Sequence, residues 1–311
     1  MRLIKSFFTT IKTKGFTVAL LAIINFFKIL IVKAIPSFTY LKKKIFDYKM
    51  YLDPRDKGIS RTLLLFGERE LDHRIILKKV LSKNMKVFDI GANIGYYVLM
   101  ESSIIGEKGK IIAVEPLPKN MQLLKKNLDL NKNQITKTMQ VGLSNVIKKK
   151  DFLVSEHSNL GHILENNNYK NKERIKIQTI NLKQLIKKTF CPDFIRMDIE
   201  GHEEKILKDL TNLKLKKFPI ICFETHLTKY KKMSYVLKKL FNKGYRIKYA
   251  SSSSESGSLK LKALGYKPIF QRIKTDDVIR EIFMNLKKSD SIKLICKSGG
   301  IRTVLMVHEG K

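Results

Sequence analysis

Short runs of apolar, largely β-branched residues recur along the chain from residue 86 onward, and stretches with helical periodicity separate them. Most of the early runs are continuous rather than alternating, as in strands that helices cover on both faces of a parallel sheet. The runs predict seven strands, at residues 86–90, 110–115, 138–143, 194–199, 218–224, 245–249 and 302–308. This order indicates a doubly wound α/β domain.

Three further segments have patterns of their own. Residues 150–154 and 174–180 predict an extra hairpin or edge pair between the third and fourth strands. Residues 61–81 carry a helical apolar period ahead of the first strand. The segment SSSSESGS, at residues 251–258, is polar and of low complexity, which predicts a mobile surface loop.

The N-terminal region is basic and then apolar. Residues 16–32 are interrupted only by Thr17, Asn25 and Lys28, and their length is near the lower limit for a membrane span. Three interpretations stay open: an amphipathic helix in the membrane interface, a helix packed on the domain or on a second copy, and a true span. We divide the chain into a helical membrane-associating segment (1–50), a helical lead-in (51–85) and the α/β domain (86–311).

The charge balance points to a polyanionic neighbour. The 62 Lys and Arg residues against 28 Asp and Glu residues give a net charge of +34, which suits nucleic acid, anionic lipid or a phosphorylated glycan, unless it reflects a general bias toward lysine. Cys191, Cys222 and Cys296 form no CxxC pair, which argues against a disulfide framework or zinc ribbon. We expect a cytoplasmic protein, peripheral on the inner face of the membrane.

The segment VFDIGANIGYY places an acid and a glycine turn at the end of the first strand. Asp89 ends the strand, and Gly91, Asn93 and Gly95 lead into the next helix. Glycines there let the backbone turn sharply and approach a ligand, although Gly95 could serve helix packing alone. The second strand ends in Glu115, whose carboxylate can accept both hydroxyls of a ribose.

Asp89 and Glu115 are expected to face one crevice, because ligands of such sheets lie at the carboxyl ends of the strands. S-adenosylmethionine fits this pair, since its amino and sulfonium groups need negative or polar surroundings and its ribose needs a bidentate acceptor. The residues assigned to cofactor binding are Asp89, Gly91, Asn93, Gly95, Glu115, Pro116 and Ser144.

Four segments together resemble the FkbM-type family of S-adenosylmethionine-dependent methyltransferases. They are VFDIGANIGYY, IIAVEPLPKNMQLLKKNLDLN, DFIRMDIEGHEEKIL and PIICFETH, which span residues 86–226 in the family's order. The resemblance implies a class I, Rossmann-like fold with seven strands, of which the last is antiparallel. It also implies O-methylation of a hydroxyl on a sugar, a glycan or glycolipid, or a secondary metabolite. Where the family usually has Ala after the Glu-Gly pair, this chain has His202.

Methyl transfer to a hydroxyl requires alignment of the acceptor and a route for its proton. The candidate catalytic residues are Asp198, Glu200, His202 and Glu224, at the ends of the fourth and fifth strands. Asp198 and Glu200, two apart in a strand, would point the same way, so they could share a proton or hold a divalent ion with Glu224. We favour metal-independent proton removal.

Other acids and histidines near these strand ends have ordinary explanations. His226 could simply cap its strand, and His202 could likewise have a structural role and no catalytic one. Glu203 and Glu204 are expected to begin the following helix, outside the site. The family resemblance places His157 and His162 in a loop near the active site.

Two other function classes compete with this hypothesis. The positive charge suits a nucleic-acid methyltransferase, but the fourth strand reads DIEG rather than Asn/Asp-Pro-Pro-aromatic, which makes nucleic acid an unfavoured partner and leaves RNA ribose methylation as the alternative. A membrane-associated binding module without catalysis is the other. The favoured acceptor is a small molecule or lipid-linked glycan.

Overall fold

The computed structural model describes residues 2–35, 39–155, 161–164, 173–227 and 230–309. The helices are α1 (Arg2–Lys14), α2 (Phe16–Ala34), α3 (Ile59–Phe66), α4 (Leu71–Val80), α5 (Tyr96–Ile105), α6 (Pro118–Leu130), α7 (Leu182–Lys188), α8 (Glu203–Asn212), α9 (Met233–Asn242), α10 (Glu255–Ala263) and α11 (Lys288–Cys296). The strands are β1 (Leu41–Ile45), β2 (Tyr48–Leu52), β3 (Lys86–Ile90), β4 (Lys110–Val114), β5 (Thr136–Met139), β6 (Gly142–Leu143), β7 (Lys149–Leu153), β8 (His162–Ile163), β9 (Arg174–Ile180), β10 (Phe194–Met197), β11 (Ile220–Glu224), β12 (Tyr245–Ser252), β13 (Ile273–Thr275), β14 (Val278–Arg280), β15 (Ile282–Leu286) and β16 (Ile301–His308).

The central sheet has the order β15-β12-β16-β11-β10-β3-β4-β5. Strands β3, β4, β5, β10 and β11 are parallel, and β16 is antiparallel to both β11 and β12. Six of the seven predicted strands and the antiparallel last strand are therefore confirmed. The sequence prediction omitted an eighth strand, β15, which pairs only at the edge and exposes Met284.

Helices cover both faces of this sheet, because successive side chains of each strand point to opposite sides. In β3, Val87 belongs to one buried apolar cluster, whereas Phe88 and Ile90 belong to the other. The apolar runs are continuous because both faces of each strand are removed from water, as we expected from the sequence.

A second sheet, of order β6-β9-β7-β8, lies beside the central one. Strands β7 and β9 pair in antiparallel fashion, which confirms the predicted hairpin. The predicted strand at 138–143 is two strands instead, because the chain turns after Met139 and β6 pairs with β9. Gly142 permits this pairing, since a Cβ there would lie 2.6 Å from the Ile177 side chain.

The region before the central sheet differs from the prediction in two respects. The predicted helical stretch at 61–81 is two helices, because Gly67 ends α3 in the left-handed conformation at φ +76°. Part of the predicted helical segment 1–50 is the hairpin β1–β2. Ile45 and Met50 of this hairpin are fully buried in the same cluster as Val87, so it packs as part of the α/β domain.

The predicted surface loop at 251–258 is wrong. Strand β12 continues to Ser252, and α10 begins at Glu255. Ser251, Ser252 and Ser258 are polar yet buried, because they find internal partners. Ser251 donates a 2.5 Å hydrogen bond to Asp72, and Ser258 donates one of 2.8 Å to Ser252. This polar, low-complexity segment is therefore held in the fold by hydrogen bonds and is not a mobile loop.

Asp72 of α4 depends on a single arginine for charge compensation. The carboxylate is fully buried, and Arg280 donates a 2.9 Å hydrogen bond to it. We expect Arg280→Met to lower the free energy of unfolding by ~3–5 kcal/mol, since it leaves a buried charge unpaired. The control is Arg272→Met, whose ion pair with Glu255 is exposed and contributes little. Urea titration measures both, and equal midpoints would contradict this account.

Candidate active site

A cleft opens where β3, β4 and β10 end at their carboxyl termini, the edge at which doubly wound sheets bind ligands. It is lined by Ile90, Gly91, Asn93, Val114, Glu115, Pro116, Leu117, Val141, Gly142, Leu143, Phe152, Gly161, Ile163, Asp198, Ile199, Glu200 and His202. Seven of the eleven predicted site residues are in this set. The other four, Asp89, Gly95, Ser144 and Glu224, lie behind its walls.

The loop after β3 is shaped by backbone conformations that favour glycine. Gly91 has φ +83°, and a Cβ there would lie 2.1 Å from the Asp198 carbonyl oxygen. The two strand ends are therefore in direct backbone contact, which no other residue type would allow. Gly95, at φ +91°, instead faces helix α6, since its Cβ would lie 2.7 Å from Leu124. This contact supports helix packing, the alternative considered from the sequence, and the assignment of Gly95 to cofactor binding stays a prediction.

Glu115 is buried at the end of β4 and organises the loop opposite it. One carboxylate oxygen accepts a 2.9 Å hydrogen bond from the Asn93 amide, and the other accepts one of 3.0 Å from the Leu117 amide. Burial raises the pKa of the Glu115 carboxyl to about 7, although hydrogen bonds from Leu117, Asn93 and Asn120 oppose this shift. The ionised form, present above pH 7, is the one that can accept two hydroxyls.

Asp89 differs from the prediction, because its side chain does not line the cleft. It is the fourth residue of a five-residue strand and is fully buried. One carboxylate oxygen accepts a 2.8 Å hydrogen bond from Arg196 on the neighbouring strand. Burial raises the pKa of the Asp89 carboxyl against the effect of this guanidinium. Asp89 therefore holds Arg196 in place and leaves the cleft to Glu115.

The sequence predicts that Asp198 and Glu200 lie in one strand and point the same way, and the structure differs. Strand β10 ends at Met197, and a turn carries both carboxylates to the cleft. Glu200 has φ +56°, a left-handed conformation that costs a non-glycine residue about 1–2 kcal/mol. Glu203 accepts a 2.7 Å hydrogen bond from the Ile199 amide and so helps to hold this strained turn. Strain of this kind concentrates at functional sites.

Ser144 and His202 join two walls of the cleft. The Ser144 hydroxyl lies 3.0 Å from Nε2 of His202, and both side chains are buried. Ser144 thus contacts a residue of the cleft lining rather than lining the cleft itself. Of the two other histidines considered, His162 lies in β8, and His157 falls outside the described residues.

His226 lies among three carboxylates behind the cleft. Its Nδ1 is 3.4 Å from Glu203, and its Nε2 is 3.3 Å from Glu224 and 3.6 Å from Glu200. Burial lowers the pKa of His226, but Glu203 and Glu224 outweigh it and raise that pKa to about 11. Burial raises the pKa of Glu224 to about 7. The surrounding carboxylates therefore favour the protonated form of the imidazole.

Sequence reasoning missed three residues of this assembly. Glu203 does begin α8, as expected, yet it is fully buried and belongs to the His226 cluster. Arg302 of β16 donates to Glu224 at 2.6 Å and to Glu70 at 3.1 Å. The third is Arg196. The sequence did contain a signal for it. Arg196 lies inside an apolar strand, where a buried cation requires a buried anion as its partner.

One group of side chains has the spacing of a metal site. Donor atoms of Asp198, Glu224 and His226 all lie within 4.8 Å of one another. Oxygen and imidazole ligands of this kind suit several divalent ions. The same positive charge is supplied here by the His226 imidazolium and by Arg302, which contacts Glu224.

The sheet order, the glycine loop and the Glu115 carboxylate together define a Rossmann-like S-adenosylmethionine-dependent methyltransferase. A family model described as the methyltransferase FkbM domain matches residues 89–247, just over half of the chain. The protein belongs to the FkbM methyltransferase family. No curated protein matches the sequence significantly.

Several solved structures are similar in fold. The FkbM methyltransferase from Methylobacillus flagellatus is 16% identical, with 72% of this chain and 52% of that chain covered and a TM-score of 0.39. TYW2 from M. jannaschii, solved in complex with AdoMet, is 14% identical, with coverages of 81% and 89% and a TM-score of 0.42. A precorrin-6y C5,15-methyltransferase from Geobacter metallireducens is 13% identical, with coverages of 76% and 87% and a TM-score of 0.39.

The cleft has the chemistry that S-adenosylmethionine requires. Glu115 is a carboxylate that we expect to accept the ribose hydroxyls, and apolar residues such as Leu143 line the cleft beside it. The assignment of individual residues to the cofactor remains a prediction.

Glu115 is the residue on which cofactor affinity is expected to depend most. Glu115→Gln should weaken S-adenosylmethionine binding about tenfold to a hundredfold, since a hydrogen bond to a charged group contributes ~1.5–3 kcal/mol. Affinity of the unmodified protein should also fall as the pH drops through 7, whereas that of the variant should not. Calorimetry measures both. The exposed Glu107→Gln variant is the control, and unchanged affinity in Glu115→Gln would disprove the assignment.

Proposed function

We propose that the protein transfers a methyl group to a hydroxyl of a sugar, a glycan or glycolipid, or a related secondary metabolite. One observation carries this proposal: the carboxylates of Asp198 and Glu200 line the same cleft as Glu115. A hydroxyl acceptor must lose a proton, and a nearby carboxylate can take it. The family resemblance of the DIEG segment supports the same chemistry.

S-adenosylmethionine supplies the methyl group. Glu115 and the backbone around Gly91 hold the donor, and Asp198 and Glu200 line the same cleft next to the Gly91 loop. The apolar residues Leu143, Phe152 and Ile163 exclude water from the cleft wall. Alignment of the two reactants in such a site accounts for a large part of the rate of a displacement reaction.

Asp198 or Glu200 accepts the proton of the acceptor hydroxyl. His226 is a poorer candidate, because Glu203 and Glu224 favour its protonated form and raise its pKa to about 11. Its Nε2 lies 3.6 Å from Glu200. Glu224 lies behind the cleft, where it contacts both His226 and Arg302.

The reaction proceeds without a metal ion in this proposal. A divalent ion bound by Asp198, Glu224 and His226 would have to replace the contacts that Glu224 already makes with His226 and Arg302. It would also be placed beside the Arg302 guanidinium, 2.6 Å from Glu224.

Neutral variants of the two carboxylates test the proton acceptor. Whichever of Asp198→Asn and Glu200→Gln removes the base should lower turnover by ~10²–10⁴-fold with cofactor affinity nearly unchanged. Steady-state kinetics and calorimetry measure the two effects, with Glu107→Gln again as the control. Near-normal turnover in both variants would move the role to Glu224.

Chelation tests the absence of a metal requirement. Enzyme treated with a chelator should keep its turnover, because no step uses a divalent ion. Activity that is lost on chelation and restored by Mg²⁺ would overturn the metal-free mechanism and favour the cluster of Asp198, Glu224 and His226 as an ion site.

The acceptor class is testable by mass spectrometry. Glycans and glycolipids from cells without the gene should lack a 14 Da methyl increment that purified enzyme and labelled cofactor restore, whereas RNA should take up no label. Label in RNA ribose would favour the alternative that the net charge of +34 suggests. Cofactor binding without transfer to any acceptor pool would favour the non-catalytic binding module.

A further inference from the structure

Helix α2 is attached to the domain along one side. Ala19 and Ile29, ten positions apart, are buried. Between them, the Asn25 side-chain amide donates a 2.9 Å hydrogen bond to the Leu65 carbonyl at the end of α3. The Arg61 guanidinium of α3 also lies over the Phe26 ring, 5.8 Å from its centroid. These contacts fix the orientation of α2 relative to α3.

The opposite side of α2 is apolar and faces outward. Only 11% of the most apolar stretch of this helix is buried, although the helix is long and apolar enough to cross a bilayer. The exposed apolar residues of this outward face are Phe16, Leu20, Leu21, Ile23, Ile24, Phe27, Leu30, Ile31 and Ile35. A continuous apolar patch of this size marks a contact surface for lipid or protein.

Lysines lie close to α2 and to its contact with α3. Lys43 of β1 donates a 2.6 Å hydrogen bond to the Leu64 carbonyl, next to the carbonyl that Asn25 contacts. Strand β1 is therefore adjacent to the α2–α3 contact. Its neighbours Lys42 and Lys44 are exposed, as is Lys28 of α2. Apolar surface beside lysines is complementary to an anionic lipid surface.

We propose that α2 lies in the plane of an anionic membrane surface, with its outward face in the boundary between headgroups and acyl chains. The exposed lysines of β1 would then contact lipid phosphates. A spanning arrangement is disfavoured, because α2 would have to carry α3 and Arg61 into the hydrocarbon or break the contacts at Ala19, Asn25 and Ile29. This location does not depend on which acceptor the enzyme methylates.

The depth of α2 in the bilayer can be measured, because the chain contains no tryptophan. Phe16→Trp, Ile24→Trp and Ile31→Trp, one at a time in the full-length protein, each provide a single fluorophore. Brominated lipids in phosphatidylcholine–phosphatidylglycerol vesicles should quench all three at the same shallow depth. A deepest position at Ile24 would show a span, and no quenching at any position would show that lipid does not cover this face. Either result overturns the proposal.

Vesicle sedimentation tests which surface makes the contact. Leu20→Glu with Phe27→Glu should weaken binding about tenfold or more, since charges enter the apolar boundary. The matched control, Ile147→Glu with Leu259→Glu, alters equally exposed apolar residues outside α2 and should bind normally. Binding should be weaker on pure phosphatidylcholine and at high salt. Cofactor calorimetry on the same variants should be unchanged, which separates this proposal from the enzymatic one.

A second copy of the chain is the other occupant that this face could have. In that case the unaltered protein would be a dimer by light scattering, the α2 variant would be a monomer, and neither would sediment with vesicles. That combination would refute the membrane proposal. Equal sedimentation of the α2 variant and its control would refute it as well.

Discussion

The Arg196 guanidinium is the buried cation on which the arrangement of the active site depends. It is 2% exposed, donates to Asp89 at 2.8 Å, contacts Asp198 at 3.3 Å and lies over the Tyr97 ring at 3.7 Å. Although burial lowers its pKa, Asp89 and Asp198 raise that pKa, so the residue stays charged. Without it, carboxylates from adjacent strands would face one another unpaired in a medium of low dielectric. One side chain thus links β3, which precedes the glycine loop, to the turn that carries Asp198 and Glu200.

The same principle of alternating buried charges extends across the sheet. The Tyr97 hydroxyl donates to Glu70, which contacts Arg302, and Arg302 contacts Glu224 beside His226. Each anion in this series has a cation or a hydroxyl donor as its neighbour. Removal of any one member of such a network is destabilising, because its partner is left buried and unpaired. The rigidity of the site therefore comes from electrostatics as well as from apolar packing.

The periodicity of the chain predicted most of the sheet, because burial of both faces leaves a clear apolar signal in each strand. Six of the seven strands predicted from the sequence are present as single strands, and Gly91, Glu115 and Asp198 meet at one edge, as their positions near strand ends implied. The local sequence pattern gave wrong predictions where residues far away in the sequence determine whether a side chain is buried. Ser251 is buried because Asp72 lies opposite it, and Asp89 turns away from the cleft because Arg196 pairs with it. Neither partner is detectable in the neighbouring sequence.

The contact between Gly91 and the Asp198 carbonyl has a consequence for how the enzyme can change. A methyl group at residue 91 would lie 2.1 Å from that oxygen. The loop after β3 and the turn after β10 therefore pack against each other with no space between them. Displacement of either backbone must be passed to the other. The two segments are thus mechanically one unit. A change in what the cleft accepts is more easily reached through side chains of its wall, such as Ile163, than through this backbone contact.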